Sequence, residues 1–163
     1  MIFKNGNNYY GDISHGKFNG QGKLTFGNGV IYEGEFQQNQ ITGNGVITWP
    51  DGSKYKGTFY QGLRHGYGEF TDKVKDIFYV GQWDRGRRHG KGQLKLQGNF
   101  IYIGNFENGL KQGQGKLVYP SGNTFVGEWK FNKKNGFGVM HWIDFKEKYH
   151  GNWSDDVPSG IGN

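Results

Sequence analysis

The sequence predicts an all-β protein: a single-layer antiparallel sheet built from β-hairpins that repeat about every 23 residues. Three observations support this. Glycine accounts for 31 of the 163 residues, whereas it makes up roughly 7% of an average protein. An aromatic residue followed two positions later by glycine recurs at nearly constant spacing. Within each recurrence, large apolar residues and glycines occupy alternate positions, which is typical of strands and not of helices.

The composition excludes several other protein classes. Aromatic residues make up 17% of the chain, which argues against an intrinsically disordered protein. The longest apolar runs, such as residues 77–80, hold four residues, far fewer than the ~20 that a membrane-spanning helix needs. The N-terminus lacks the pattern of a signal peptide. The absence of cysteine is typical of an intracellular protein, so we expect a folded, intracellular chain.

Seven repeat units align on an aromatic anchor, which we number offset 0. The spacings between successive anchors are 23, 23, 24, 23, 23 and 24 residues, so the third and sixth units each contain one extra residue. Residues 1–8 match the end of a preceding unit, and the last unit is incomplete. We therefore expect residues 1–163 to be a single array cut from a longer protein. The anchors are Tyr9, Tyr32, Tyr55, Tyr79, Tyr102, Phe125 and Tyr149.

Each unit begins with a predicted strand over offsets 0 to 4. Side chains two positions apart lie on the same face of a strand, so the anchor, the glycine at offset 2 and the large residue at offset 4 share one face. The residues between them, such as Glu35 and Glu128, are mostly polar and form the opposite face. The residues at offset 4 are Ile13, Phe36, Phe59, Trp83, Phe106, Trp129 and Trp153.

A second strand is predicted over offsets 11 to 17. Gly-x-Gly occupies offsets 11 and 13 in all seven units, and large apolar residues mostly follow at offsets 15 and 17. The third unit departs from this pattern, because Asp72 stands at offset 17. A turn near offset 7 is expected to join the two strands, since glycine is found there in four units. Asn39, Asn132 and Asp156 replace this glycine in the other three, and we expect them to weaken their turns.

The glycines indicate how a single sheet could bury its aromatic residues. Bulky rings alternate with bare glycine positions on one predicted face, so a ring from one strand can lie flat over a glycine of its neighbour. Such packing buries aromatic surface without a second layer. Glycine inside a strand otherwise weakens it, so we expect the glycines at these positions to be required for folding.

The repeating unit resembles the MORN repeat. The stretch Tyr79-Val-Gly-Gln-Trp-Asp-Arg-Gly-Arg-Arg-His-Gly-Lys-Gly matches its signature, and the resemblance covers residues 9–162. It implies an elongated, twisted, single-layer antiparallel sheet used as a scaffold. Residues 48–57, 62–68 and 135–142 are similar to the MORN arrays of radial spoke head proteins, of the radial spoke head 10 type. This similarity implies a cytoskeletal location in the axoneme of a cilium or flagellum, with other radial spoke head proteins as partners.

No pattern in the chain predicts chemistry. Every Gly-x-Gly falls on the repeat and none precedes a helical segment, so a phosphate-binding loop is not indicated. The five histidines lack metal-ligand spacing. No nucleophile, base and acid recur together. We expect a protein that is not an enzyme, with no catalytic residue, cofactor or metal ion.

Positive charge is concentrated between offsets 6 and 10, and the formal net charge of the chain is +6. In one interpretation these residues only solvate the turns. In another they form a basic docking edge for an acidic partner protein or for anionic phospholipid. We do not expect nucleic acid as a ligand, because no aromatic platform for bases stands among these charges. The basic residues are Lys17, Arg64, Arg85, Arg87, Arg88, Lys111, Lys133 and Lys134.

The aromatic face is the second candidate surface. Tyrosine and tryptophan exposed in a shallow groove would serve as anchors for a partner peptide. The candidate groove residues are Tyr32, Phe36, Tyr55, Phe59, Tyr79, Trp83, Tyr102, Phe106, Phe125, Trp129, Tyr149 and Trp153.

Three functions are compatible with these surfaces. The chain could be a structural interaction module of a radial spoke head, a tether that binds anionic phospholipids, or a targeting module of a larger enzyme. Because an unpaired strand edge can pair with another chain, we also expect self-association through the open edges of the sheet.

Overall fold

The computed structural model describes residues 1–160, which form strands and turns without a helix. Residues 161–163, and with them Gly162 of the last Gly-x-Gly, lie outside the described residues. The chain divides into two compact units, Met1–Arg87 and Arg88–Asn163. The expected single array over residues 1–163 stays a prediction.

The two units are built in the same way. In each, every strand pairs antiparallel with the next strand along the chain. The predicted all-β array of antiparallel hairpins is confirmed. The first unit contains β1 (Asn8–Ser14), β2 (Lys17–Thr25), β3 (Ile31–Gln37), β4 (Gln40–Thr48), β5 (Lys54–Tyr60), β6 (Leu63–Asp72) and β7 (Ile77–Asp84). The second contains β8 (Arg87–Leu96), β9 (Phe100–Glu107), β10 (Leu110–Val118), β11 (Thr124–Lys130), β12 (Lys133–Trp142), β13 (Glu147–Ser154) and β14 (Val157–Ser159).

The turn inside each hairpin is shorter than the sequence suggested. Only two residues, at offsets 6 and 7, separate the paired strands, and both have positive φ, as at Gln38 (47°) and Asn39 (68°). Two left-handed residues in succession form the tight turn whose twist suits a hairpin. The second strand therefore begins at offset 8 and not at offset 11, so residues at offsets 8 and 9 belong to the sheet.

The glycines at offsets 2 and 13 face one another across the strands. Gly34 of β3 lies opposite Gly45 of β4 and Gly22 of β2. In the second unit, Gly104 of β9 lies opposite Gly115 of β10 in the same way. A line of bare backbone therefore crosses each unit from strand to strand.

The ring of each anchor tyrosine lies on this line of glycines. A Cβ atom added to Gly115 would stand 2.5 Å from Cζ of Tyr102, and one added to Gly45 would stand 2.5 Å from Cε2 of Tyr32. Any side chain at these positions would therefore displace the ring. The predicted packing of rings over glycines is confirmed for these anchors.

The first glycine of each Gly-x-Gly has a different role from the second. Phe36 pairs with Ile41 and Gly34 pairs with Gly45. Between these two pairs, β3 has one residue, whereas β4 has three, residues 42–44. Gly43 lies inside the resulting bulge with a φ of +63°, a conformation that glycine adopts at little cost. The alternating pattern predicts that both glycines make room for rings. This is wrong for the first glycine, which lies beside the Glu35 side chain, because a bulge cannot be recognised from alternation alone.

A tyrosine hydroxyl completes the backbone hydrogen bonding beside each bulge. Tyr32 Oη donates to the carbonyl of Glu35 at 2.7 Å, and Tyr102 Oη donates to the carbonyl of Asn105 at 2.8 Å. A buried phenol needs a partner for its polar end. The equivalent bond, at 2.6 to 3.2 Å, is made by Tyr9, Tyr55, Tyr79 and Tyr149.

The core of each unit is a row of edge-to-face aromatic contacts. The Tyr55 ring lies 5.0 Å from that of Phe59 in its own repeat and 5.4 Å from that of Trp83 in the next. In the second unit, Tyr102 contacts Phe106 at 5.1 Å and Trp129 at 5.3 Å. Such pairs contribute about 0.5–1.5 kcal/mol beyond the area they bury, so Tyr55 and Tyr102 each join two repeats.

A glycine substitution tests the ring contact. We expect Gly115→Ala to destabilise the chain by about 2 kcal/mol, because the added methyl overpacks against Tyr102. Gly109→Asn is the matched control. Gly109 has a φ of +84° and nothing within 4 Å of an added Cβ, and asparagine tolerates this conformation. Equal denaturant midpoints for the two variants would contradict the ring contact.

The buried tyrosines predict a loss of stability in alkali. Burial raises the pKa of Tyr55 from 10.0 to about 12, and it also raises the pKa values of Tyr32 and Tyr102. These tyrosines ionise more easily in the unfolded chain. Their contribution to the free energy of unfolding is therefore complete below pH 10.0 and is lost as the pH rises through about 12.

The measurement is the denaturant midpoint as a function of pH, with the Tyr102→Phe variant for comparison. We expect the variant to lose less stability than the wild type above pH 10, because it carries one buried phenol fewer. Identical pH dependence of the two proteins would contradict this assignment.

Candidate docking face

The hairpin register places part of the predicted basic edge on the aromatic face, the sheet face that carries the anchor rings. Arg64 lies opposite Phe59, Lys111 opposite Phe106 and Lys134 opposite Trp129. Directly opposed residues of antiparallel strands have their side chains on the same face. The prediction of one continuous edge is therefore wrong for these residues, because the two-residue turn leaves offset 9 inside the sheet.

We call Arg64, Arg88, Lys111 and Lys134 the inward cations. All four are half-buried and lie over aromatic rings. The guanidinium of Arg64 is 4.6 Å from the ring centre of Trp83, and that of Arg88 is 5.4 Å from the ring centre of Phe106. Cations placed over ring faces are attracted by the ring quadrupole, so these residues cover the core while keeping their charged ends near solvent.

The two lysines make the same type of contact in the second unit. Nζ of Lys111 lies 5.3 Å from the ring centre of Trp129. Nζ of Lys134 lies 5.1 Å from the ring centre of Trp153 and 5.3 Å from that of Tyr119. Tyr119, a half-buried residue at offset 17, is not among the predicted site residues, although its place in the apolar pattern is visible in the sequence.

The other four basic residues, Lys17, Arg85, Arg87 and Lys133, are exposed, and we call them the outward cations. Arg85 Nε stands 3.9 Å from a carboxylate oxygen of Asp84, and the Arg85 side chain is 82% exposed. An ion pair in that setting contributes little stability. As a docking edge, the outward cations stay a prediction.

The aromatic residues themselves are buried, in contrast to the exposed groove that the sequence suggested. Eleven of the twelve candidate groove residues are at most 6% exposed, and Tyr149 is half-buried. Neighbouring rings cover one another edge to face, and inward cations lie over several of them, such as Trp83, Phe106 and Trp129. What this face offers a partner is mainly the inward cations and the half-buried residues at offset 17.

The two inward arginines are held by the turn of the following repeat. Arg64 Nη2 donates to the carbonyl of Gly86 at 3.0 Å, and Arg88 Nη2 donates to that of Gly109 at 3.0 Å. The amides of both glycines donate in return to the arginine carbonyls, at 2.8 and 2.9 Å. The arginines therefore have a structural role in joining repeats.

The two inward lysines are held differently. The amide of Lys111 donates to Asn132 Oδ1 at 2.8 Å, and the amide of Lys134 donates to Asp156 Oδ1 at 2.8 Å. Asn39 accepts from the amide of Phe18 in the same way. The expectation that Asn39, Asn132 and Asp156 weaken their turns is wrong, because each side chain adds a hydrogen bond between repeats. The lysine ammonium groups are not used in these turns.

The inward cations of the second unit lie in a strongly positive setting. Burial lowers the pKa of Lys111; the nearby Asp156 opposes this shift, and the charges of Arg88 and Lys134 add to it. Within residues 88–160, the aromatic face carries one acid, Glu147, which lies opposite Trp142 at the end of β12 remote from Lys134. Such a face suits the carboxylates of a ligand.

Neither grouped metal ligands nor a membrane-spanning helix is found among residues 1–160. No group of three or more histidine, aspartate or glutamate side chains in residues 1–160 is placed to hold a metal ion. The same residues contain no helix with the length and apolar character needed to cross a bilayer.

Comparison with known families agrees with the repeat seen in the structure. The family model of the MORN repeat matches this chain seven times, and its matches begin at the seven anchors. This supports a repeat-based interaction or scaffold module. The matched residues are 9–31, 32–54, 55–75, 79–97, 102–124, 125–145 and 149–162.

Three solved structures are similar to this chain at TM-scores below 0.5. The TCP domain of Drosophila melanogaster SAS-4, in complex with a proline-rich motif of Ana2, has a TM-score of 0.47 and 10% identity over 81% of this chain and 77% of that chain. The TCP10c domain of Drosophila melanogaster Sas-4 has a TM-score of 0.44 and 11% identity, with coverages of 82% and 86%. The TCP10 domain of Danio rerio CPAP, in complex with a STIL peptide, has a TM-score of 0.35 and 14% identity, with coverages of 93% and 76%. Likeness at these TM-scores indicates nothing about what the present chain binds.

A substitution toward glycine tests the role of Asn132. We expect Asn132→Gly to destabilise the chain by about 1 kcal/mol, because the amide of Lys111 loses its side-chain acceptor. Asn108→Gly is the matched control, since Asn108 also has a positive φ (51°) but lies at offset 6, outside this contact. Thermal unfolding of both variants provides the measurement, and a larger loss in Asn108→Gly would contradict the role of Asn132.

Proposed function

This chain belongs to the MORN repeat family, and from that premise we propose that it is a non-catalytic scaffold that binds other proteins. More specifically, we propose that it is a component of the radial spoke head in the axoneme of a cilium or flagellum, where it supports motility. Other subunits of the spoke head would be its partners.

One observation carries the scaffold proposal. The aromatic face of the second unit presents three half-buried cations, Arg88, Lys111 and Lys134, and the charges of Arg88 and Lys134 act on Lys111 together with the opposing charge of the turn residue Asp156. Like charges held close together repel one another, so a partner surface that carries carboxylates would stabilise this face. A folded protein holds its carboxylates at fixed positions, so it can match cations that recur from repeat to repeat.

The axonemal assignment is supported by the sequence alone. Residues 48–57, 62–68 and 135–142 are similar to radial spoke head proteins, as described above. The first segment covers the end of β4 and most of β5, and the last covers most of β12.

Fractionation of axonemes tests this proposal. The tagged full-length protein, expressed in ciliated cells, should remain with isolated axonemes after detergent extraction and should be missing from axonemes that lack spoke heads. A tagged unrelated β protein controls for trapping. Recovery of the protein only in the soluble fraction would overturn the axonemal assignment.

A second candidate function is supported by the outward cations. Lys17, Arg85, Arg87 and Lys133 are exposed on or next to hairpin turns, where anionic phospholipid head groups could reach them. Each such cation near an anionic membrane contributes about 1 kcal/mol.

Flotation with liposomes distinguishes the two functions. A membrane tether should float with vesicles that contain phosphoinositide and not with neutral vesicles, and Arg87→Gln should reduce the floated fraction. Equal flotation with both kinds of vesicle would exclude this second function.

A further inference from the structure

The inward lysines of the second unit differ from the inward arginines in one respect that matters for binding. The guanidinium groups of Arg64 and Arg88 donate to turn carbonyls. The amides of Lys111 and Lys134 are instead bonded by Asn132 and Asp156, which leaves the ammonium groups over the rings. Within residues 1–160, neither ammonium group forms a salt bridge.

The two lysines also occupy equivalent places one repeat apart. Lys111 lies near the start of β10 and Lys134 near the start of β12, with β11 between these strands. Neighbouring strands are about 4.8 Å apart, so the backbones that carry the two lysines are separated by about 9.6 Å. A ligand that bridges both ammonium groups needs two anionic groups at a similar distance, on one side.

We propose that Lys111 and Lys134 form a binding site for an acidic peptide in the polyproline II conformation, with acidic residues at every third position. This inference rests on the proposed scaffold function and specifies the class of partner that the aromatic face binds.

The spacing favours this conformation over the alternatives. A polyproline II helix rises about 3.1 Å per residue with three residues per turn. Every third side chain therefore points to the same side, about 9.3 Å from the last. Two residues three positions apart in a β-strand are separated by about 10 Å, but their side chains point to opposite faces. In an α-helix, side chains seven residues apart point to the same side and are separated by about 10.5 Å, which is farther from the spacing of the two lysines than the polyproline II value is.

The surroundings of Lys134 suit the residues between the acids. Tyr119 is half-buried, and its ring centre lies 5.3 Å from Nζ of Lys134. Proline-rich segments dock on aromatic side chains because their conformation is already fixed before binding. A ligand with prolines between its acidic residues would place them against Tyr119 while its carboxylates meet the lysines.

The charge and burial of the site explain why a carboxylate would bind there. Both ammonium groups are partly removed from water, and the pKa of Lys111 is lowered by its burial and by its cationic neighbours. A carboxylate replaces lost hydration and relieves the repulsion between the cations.

Peptide binding to the full chain tests the proposal. The probes are two fluorescein-labelled peptides of the same composition, each with four glutamates and eight prolines. One repeats Glu-Pro-Pro four times, and the other carries its four glutamates in one block. Fluorescence anisotropy is measured at low and at physiological salt. We expect the repeating peptide to bind at least tenfold more tightly than the block peptide.

Substitutions locate the site. Lys111→Met and Lys134→Met keep the aliphatic stem over the rings and remove the charge, and each should weaken the repeating peptide at least tenfold. Lys133→Met and Lys116→Met are matched controls, since both side chains are exposed and the change of charge is the same. These controls should change binding less than twofold. Lys111→Gln and Lys134→Gln provide a second pair, and thermal unfolding verifies that each variant is folded.

Several results would overturn the proposal. Equal weakening by the inward and control substitutions would show binding to net charge only, and equal affinity for the two peptides would remove the spacing argument. If Lys111→Met and Lys134→Met weakened binding to phosphoinositide vesicles without weakening binding to the peptide, the site would be a lipid site. If the peptide did not bind but the tagged protein were recovered with axonemes, the peptide proposal would be overturned and the scaffold proposal would stand. If the peptide bound but the protein were not recovered with axonemes, only the axonemal assignment would be overturned.

Discussion

The fold depends on the contact between an anchor ring and two facing glycines. A single sheet has no second layer against which to bury aromatic side chains, so the rings must lie on the sheet itself. The Tyr102 ring does so over Gly115, beside its partner glycine Gly104. The same ring sets its hydroxyl against the carbonyl of Asn105. One residue therefore fills the space over the glycines and also forms a hydrogen bond. The other anchor tyrosines form the equivalent hydrogen bond, because each repeat carries the same pair of glycines.

Within each unit, neighbouring repeats are joined by two kinds of contact. Tyr55 contacts the offset-4 ring of its own repeat and of the next, as does Tyr102, and the turn residue at offset 7 donates its backbone amide to the carbonyl at offset 9 of the previous repeat. Stability in such a chain is close to a sum of units and nearest-neighbour terms. Two chemical solutions serve the turn contact: an arginine that reaches a glycine carbonyl, as in Arg88 and Gly109, or an asparagine or aspartate that accepts an amide.

Offset 9 is where the frame acquires specificity. The position is held in the sheet by the tight turn and lies against the rings, yet its chemistry changes along the chain. In the first unit it is occupied by Phe18, Ile41 and Arg64, and in the second by Arg88, Lys111, Lys134 and Pro158. The Phe18 ring stacks on Tyr9 at 3.7 Å, whereas Lys111 holds a charge in the equivalent place. A constant backbone therefore presents an apolar surface in one region and a cationic surface in another.

The sequence by itself determined the repeat, the strand pairs and the contact between rings and glycines, because these follow from local periodicity that is visible in seven copies. The tertiary structure alone decided which face carries Arg64, Lys111 and Lys134, and that the groove rings are buried. Alternation predicts faces only within a strand, and the length of a turn and the bulge at Gly43 determine how one strand is aligned with the next. The roles of Asn132 and Asp156 were hidden for the same reason, since their acceptors bond a strand of the previous repeat, more than twenty residues away in the chain.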